Sequence, residues 1–323
     1  MTLRAEPGGA DLAAIIVTYN SAGELPGLLG SLQASTAAVL AIVVDNGSQD
    51  GSAELAASFG ERAVTVVATG ANLGYAGGIN AGLARVPAGL PVAILNPDLA
   101  VAPDALERLL GALHDPRVGV AGPRIASPAG ELFLGIRREP SVAGALGEAL
   151  FGARWASRPA WLTETEYAPS AYRWAHQVDW LSGAALLISP ACVRAIGAWD
   201  ASYFLYSEET DFARRARGAG FRVGFEPEAR VTHVGGASGR SPQLAALLTA
   251  NRLRYFARHH PPAAALAYRG ALALECALRA WRPSSRLALA ALFSARVRAG
   301  LPAATGAAAG TAADGARQKE LAS

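Results

Sequence analysis

Short apolar runs alternate with amphipathic stretches through the first third of the chain. "AAIIVT" (13–18), "AIVVD" (41–45), "AVTVVA" (63–68) and "VAILN" (92–96) are almost free of polar interruption. That is the pattern of strands buried on both faces. Helical periodicity fills the gaps near 23–34, 51–59, 76–85 and 103–113, with Asp50-Gly51-Ser52 and Pro103-Asp104 as helix starts. Alternation of this kind predicts an α/β fold: a doubly wound, mostly parallel sheet with helices on both faces and ligand loops at the strand C-termini. Thr18, Tyr19, Asn20, Asp45, Asn46, Asn96 and Asp98 all fall at those ends. One string breaks the rhythm. In "AILNPDLAV" (93–101) an apolar run stops at Asn96-Pro97-Asp98 and then resumes. Proline and aspartate there read either as a plain turn or as a carboxylate set at a ligand-binding strand end.

The middle of the chain is less regular. Strands are expected at 118–121 and 131–137, and an amphipathic helix with a Trp-bearing loop over 141–162. The run "WLSGAALLI" (180–188) precedes a helix from Glu208 to Gly218 or Gly220, with Arg214, Arg215 and Arg217 toward its C-terminal end. Beyond His233 the periodicity predicts helices near 242–259, 262–281 and 284–298, then a disordered Ala/Gly/Thr-rich tail. The expected division is a catalytic domain over 1–260 with halves at 12–115 and 116–260, basic amphipathic helices over 261–300, and the tail over 301–323.

Composition sharpens this picture. Hydrophobic residues make up 51% and charged residues only 17%, enough for a sizeable core and against global disorder. The net charge of +3 is uneven, because residues 251–323 carry eleven Arg or Lys against three Asp or Glu. A basic end on a mildly acidic body points to contact with an anionic surface. No nucleic-acid module accompanies it, so nucleic acid is not an expected partner. Cys192 and Cys276 have no partner at metal spacing and read as buried free thiols. No secretory leader or membrane span is evident, so a cytoplasmic protein is expected, with any membrane contact peripheral.

Several constellations carry candidate chemistry. Asp45 in "VVDNGSQDGS" either caps an Asn-Gly turn or meets a donor on a nucleobase or ribose. "TGANLGYAGGINAGL" (69–83) is Gly-rich but out of register for a dinucleotide fingerprint. Gly77 and Gly78 are expected to open a helix there, allowing close backbone approach to a nucleotide. "SEETDF" stacks Glu208, Glu209 and Asp211 in a first helical turn, directly after the apolar "YFLY". Acids there favour the helix dipole, but beside an apolar wall a carboxylate also gains proton affinity and suits general-base work. His233 gains a functional meaning only if an acid such as Asp98 meets it in space.

The order "TYN", "VDNGS", "NLGYAGGIN", "NPD", "WLSGAALLI", "GAWDASYFLYSEETDF", "VTHVGG" closely resembles family 2 glycosyltransferases of the GT-A fold, over residues 12 to 260. Within that family the Trp-Leu-Ser-Gly run, the Tyr-Phe-Leu-Tyr segment and the basic C-terminal helices look most like rhamnosyltransferases acting on polyprenyl-diphosphate-linked N-acetylglucosamine. The resemblance implies that "NPD" stands where the family has its DxD metal motif. Asn96 replaces the first acid, Asp98 faces Mg²⁺ or Mn²⁺, and His233 joins it. It also implies that Asp45 contacts the nucleobase, with Thr18 and Asn20 lining the pocket. Tyr19, Asn46, Asn72, Gly74, Asn80 and Asn96, on the same loops, complete the candidate nucleotide-sugar set.

By the same resemblance Glu209 is the base, a Glu where the family has Asp; Glu208 or Asp211 are the alternatives. The implied reaction is inverting transfer of a sugar from a nucleotide-diphosphate donor, dTDP-rhamnose by this resemblance, to a hydroxyl of a glycan or a polyprenyl-diphosphate-linked saccharide. Another donor sugar and a non-catalytic sugar-nucleotide-binding module are the competing readings. A Rossmann oxidoreductase is disfavoured, because "TYNSAGELPG" rather than GxGxxG follows the first strand.

Overall fold

The computed structural model describes residues 9–60, 64–234 and 241–304. The strands are β1 (Leu12–Thr18), β2 (Val39–Asp45), β3 (Val64–Ala68), β4 (Val92–Leu95), β5 (Leu99–Val101), β6 (Val118–Ala126), β7 (Ile136–Arg137), β8 (His176–Val178), β9 (Trp180–Leu181), β10 (Ala185–Ile188) and β11 (Arg222–His233). The helices are α1 (Leu25–Gln33), α2 (Ser52–Ser58), α3 (Gly74–Leu83), α4 (Ala105–Ala112), α5 (Val142–Leu150), α6 (Pro190–Ile196), α7 (Glu208–Gly218), α8 (Pro242–His259), α9 (Pro262–Ala277), α10 (Pro283–Phe293) and α11 (Ala295–Ala299).

The main sheet runs β3-β2-β1-β4-β10-β6-β11-β5, with β8 also on β11. Strands β1 to β4 are mutually parallel; β10, β5 and β8 run against their neighbours, so the sheet is mixed in its second half. Alternation along β1 explains the two covered faces. Leu12, Ala14 and Ile16 enter one core with α1 and α4, whereas Ala13, Ile15 and Val17 enter the other with α3 and α7. Every residue of β1 is buried, as its unbroken apolar run requires.

The interrupted string at 93–101 is now explained. Asn96-Pro97-Asp98 carries the chain from β4, at the middle of the sheet, to β5 at its far edge. There β5 pairs with the end of β11, and Leu99 lies opposite His233.

Several sequence expectations need correction. Within 131–137 only Ile136–Arg137 forms a strand, and Leu132 makes a single bridge to Ala126. The run 180–188 divides around Ser182–Ala184 into β9 and β10. The helix expected at 284–298 breaks at Ser294, whose hydroxyl accepts from the Val297 amide at 3.3 Å and caps α11. Helix α3 begins at Gly74, so Gly77 and Gly78 do not open it. A Cβ at Gly78 would sit 2.5 Å from Val17, and one at Gly82 2.6 Å from Ile15. Those glycines let α3 lie close on β1, which is a packing role.

A third core joins α8, α9 and α10 through Leu253, Phe256, Tyr268, Leu272 and Leu292. The helical unit therefore begins with α8 rather than after residue 260. Leu301 is buried against it, and most of the expected tail, 305–323, lies outside the described residues.

Candidate active site

The pairing of β5 with β11 sets Asp98 beside His233. Asp98 Oδ2 and His233 Nε2 lie 2.8 Å apart, and the Val234 amide donates to the Asp98 carbonyl at 3.0 Å. The histidine ring stands edge-on to Phe133, 5.8 Å between centroids. Asp98 is buried, and its Oδ1 has no hydrogen-bond partner. A dry, unpartnered carboxylate oxygen is costly unless something polar comes to it. Among the described residues no group of three or more His, Cys, Asp or Glu converges as a full cage. Two protein donors with one free oxygen suit a hard divalent cation completed by phosphate oxygens, the usual style of Mg²⁺ sites.

The second cluster opens α7. Glu208 is buried with Oε2 unpartnered, whereas Glu209 is half-buried. Burial pushes the Glu208 carboxyl well above its ordinary range, and the neighbouring Glu209 charge adds to this. Burial also raises Glu209, opposed by its backbone donors and by the Arg137 guanidinium. Asp211 does not share this setting. Arg215 Nε donates to its Oδ2 at 2.7 Å, and His259 Nε2 lies 3.4 Å from its Oδ1. Arg215, one turn on in α7, thus already engages the Asp211 carboxylate.

The loop before α7 is strained. Phe204, Tyr206 and Ser207 all have positive φ, at 64°, 72° and 72°. Phe204, with ψ −59° and the Leu205 amide donating to the Tyr203 carbonyl at 2.8 Å, is the sterically unfavourable kind of γ-turn. Two contacts hold this loop. The Tyr75 amide donates to the Phe204 carbonyl, and Asn251 Nδ2 reaches the carbonyls of Tyr203, Leu205 and Tyr206 at 2.8, 2.9 and 3.3 Å. Gly74 has φ of 76°, and a Cβ there would fall 2.3 Å from the Phe204 carbonyl oxygen, so this crossing requires glycine.

Both clusters meet at the turn Ser182-Gly183-Ala184. The Asn96 amide donates to the Ala184 carbonyl at 2.8 Å, and the Tyr75 hydroxyl lies 2.8 Å from Asn96 Oδ1 and 3.1 Å from the Gly183 carbonyl. On the other side, a Cβ on Gly183 would touch Glu209 at 3.4 Å. The Tyr75 hydroxyl is held well above its ordinary pKa by burial and by the charges of Glu208, Glu209 and Asp98. Tyr75 therefore stays a proton donor at the centre of the acids. Sequence reading missed both Tyr75 and Asn251. For Asn251 a signal existed, since it stands between Leu247 and Tyr255 on a buried i, i+4 stripe of α8. Tyr75 gave none beyond its place in the Gly-rich segment.

The remaining candidates line the C-terminal ends of β1 to β3. Asp45 Oδ2 accepts from the Gly47 and Ser48 amides at 3.2 and 3.1 Å, and the buried Thr18 hydroxyl lies 3.4 Å from Oδ1. Asn20, with φ of 53°, accepts from the Gln49 amide at 2.8 Å and gives its own amide to Ser48 Oγ. Tyr19 beside it is exposed. Asn72 Oδ1 accepts from the Gly74 amide, and Asn46 Nδ2 donates to the Gly74 carbonyl at 2.8 Å. Both ends of the Asn80 amide are bound to the Trp199 backbone at 2.9 Å, so Asn80 ties α3 to the loop after α6 rather than facing a pocket.

The chain is similar to known glycosyltransferases in sequence and in fold. The model for the family "Glycosyl transferase family 2" matches residues 13–160. An N-acetylglucosaminyl-diphospho-decaprenol L-rhamnosyltransferase of Mycobacterium tuberculosis is 32% identical over 72% of this chain and 78% of its own. A low-salt glycan biosynthesis hexosyltransferase of Haloferax volcanii, Agl10, is 28% identical over 66% of this chain and 64% of its own. Among solved structures, a mannosyltransferase from Pyrobaculum calidifontis in complex with GDP-Man and Mn²⁺ superimposes with a TM-score of 0.55. It covers 91% of this chain and 84% of that one at 17% identity, a likeness of fold.

Proposed function

Because the chain belongs to glycosyl transferase family 2, we propose that it transfers rhamnose from dTDP-rhamnose, with inversion, onto N-acetylglucosamine carried on a polyprenyl diphosphate. The name of the 32%-identical mycobacterial relative supports rhamnose as the sugar and a lipid-diphosphate-linked N-acetylglucosamine as the acceptor. The observation that carries the catalytic part is that Asn96 of the Asn-Pro-Asp turn and Glu209 both border the Gly183 turn, with the Tyr75 hydroxyl bonded there and under the charges of Glu208, Glu209 and Asp98.

In this reading Thr18, Tyr19, Asn20 and Asp45 border the nucleoside, with Tyr19 free to lie against its ring. Asp98 and His233 are the residues that would hold Mg²⁺ or Mn²⁺, and the cation, when bound, supplies positive charge against the leaving diphosphate. Glu209 takes the proton from the acceptor hydroxyl as that oxygen attacks the anomeric carbon; the C–O bond to the diphosphate breaks and the electron pair leaves with it. Glu208, more deeply buried, has its proton affinity raised by burial and by the Glu209 charge. Tyr75 keeps the Asn96 amide and the Gly183 carbonyl in place.

A polyprenyl acceptor lies in a membrane. No described helix is long and apolar enough to cross one; the proposed seat is peripheral, on the cytoplasmic face. The test is a donor screen against a lipid-diphosphate N-acetylglucosamine acceptor, reading nucleoside diphosphate release and product mass. Release with dTDP-rhamnose well above other donors is expected. Preference for another nucleotide sugar would replace the donor, and absence of transfer from every donor would remove the reading.

A further inference from the structure

The arginines of the C-terminal helices do not form one face. Arg252 bridges Glu164 and Glu275, Arg254 donates to Ser202, and Arg258 pairs with Asp200. These three tie α8 to the body of the protein and are not available to a surface. A different set gathers where the C-terminal ends of α5 and α9 meet. Arg279 donates to the carbonyls of Glu148 and Ala149 at 3.1 and 3.2 Å, which brings residues 148–155 against residues 278–286. Phe151 stands edge-on to Trp155, 4.9 Å between centroids, and Arg286 folds back onto the Ala280 carbonyl at 3.0 Å.

Four large apolar side chains are left in water around this junction: Leu150, Trp155, Leu278 and Trp281, from 41% exposed at Trp155 to 70% at Trp281. Arg154, Arg282 and Arg286 are exposed among them. Neither 149–163 nor 276–304 contains a single Asp or Glu. The acids that border these stretches, Glu148, Glu164 and Glu275, are already ion-paired to Arg158 or Arg252. Tryptophan and leucine set among unpaired arginines, on a surface without acids, match a boundary that is apolar below and anionic above.

We propose that this junction is where the protein seats on an anionic bilayer, with Trp155 and Trp281 entering the headgroup region and Arg154, Arg282 and Arg286 contacting lipid phosphates. The proposal refines the peripheral seat described above, but its binding step stands without any assumption about the sugar transferred.

The experiment is co-sedimentation of the full chain with vesicles of phosphatidylglycerol and phosphatidylcholine, and with phosphatidylcholine alone, at low and high salt. Binding should require phosphatidylglycerol and weaken as salt rises. Arg154→Gln with Arg282→Gln should weaken it about 30-fold, from about 1 kcal/mol per basic residue. Trp155→Ala with Trp281→Ala should weaken it at least about tenfold. All four changes are at exposed positions, so unfolding temperature and turnover on a short-chain, water-soluble acceptor should be retained. Loss of vesicle binding with that turnover intact supports the face. Normal vesicle behaviour without any glycosyl transfer would overturn the proposed reaction and leave the face standing. Equal binding to both lipids, or binding indifferent to these variants, would overturn the face. So would a dimer in sedimentation velocity that the tryptophan pair dissolves while vesicle binding persists.

Discussion

Asp45 ends β2 and Asp98 follows β4, parallel strands of the same sheet, and they are treated in opposite ways. Asp45 is met by its own loop: two backbone amides reach one oxygen and Thr18 stands by the other. Asp98 shares one oxygen with His233 and keeps the other buried and unpartnered. The contrast extends to the regions around them. In the first half Asn20, Asn46 and Asn80 are all bonded to backbone, and the turns they hold are relaxed apart from Asn20. In the second half Glu208 also carries an unpartnered buried oxygen, and Phe204, Tyr206 and Ser207 of one loop sit at positive φ. Satisfied groups hold a frame. In the proposed reading, unsatisfied groups and stored strain are where the ligand binds.

The largest effect should come from the acid pair. Glu209→Gln keeps size but cannot accept a proton, so turnover should fall by about 10²–10⁴-fold with donor affinity retained. Glu208→Gln mimics the protonated form that burial favours, so activity should largely survive. Its stability effect has a definite sign. A carboxyl raised in the folded state binds its proton more tightly there than when unfolded, so charging it costs stability as pH rises above the unfolded value near ~4.3. Removing it should therefore stabilise the protein increasingly toward alkaline pH in thermal unfolding scans. A dead Glu208→Gln beside an active Glu209→Gln would exchange the two roles.

Next is the Asp98–His233 pair. Asp98→Ala should lower turnover by on the order of 10²–10³-fold and abolish Mn²⁺ binding measured by electron paramagnetic resonance in the presence of nucleoside diphosphate. Chelator should arrest the wild type, and Mg²⁺ or Mn²⁺ should restore it. Full activity in chelator, with Asp98→Ala also active, would show that the free oxygen is not a ligand.

Asn251 tests whether strain matters. Asn251→Leu removes the side-chain donor to the Tyr203, Leu205 and Tyr206 carbonyls, of which Tyr203 keeps the Leu205 amide, costing about 1–3 kcal/mol. If the loop positions Glu209, kcat should drop about tenfold or more while KM for the donor stays put, a split that loss of stability alone would not give. Unchanged kcat in the folded variant would make Asn251 a packing residue only. The smallest effect is a pH shift. The Arg137 charge draws the Glu209 pKa down, so Arg137→Met should move the acid limb of kcat/KM to higher pH. A limb that stays fixed would mean that Glu209 does not govern it.

The parallel half of the sheet was legible because strands buried on both faces leave an unbroken apolar signature, as in β1. The short antiparallel pieces were not. Strands such as β7 and β9 contribute two residues each and are fixed by partners distant in sequence. Asp98 and His233 were each visible as candidates, but their contact follows from a register between residues 135 positions apart, which no local pattern encodes. Asp211 looked equivalent to its neighbours until Arg215, one helical turn on, was seen to claim it. The helix start expected at Gly77 and Gly78 lies at Gly74 instead, because close packing of α3 on β1 at Gly78 asks for the same residue as a phosphate-binding turn.

The most direct measurement of the proposed chemistry is the anomeric configuration of the transferred sugar, read by nuclear magnetic resonance on the product isolated from a single incubation with donor and acceptor. A single displacement with Glu209 as base requires the configuration to be inverted relative to the donor. A product that keeps the donor's configuration would contradict the account.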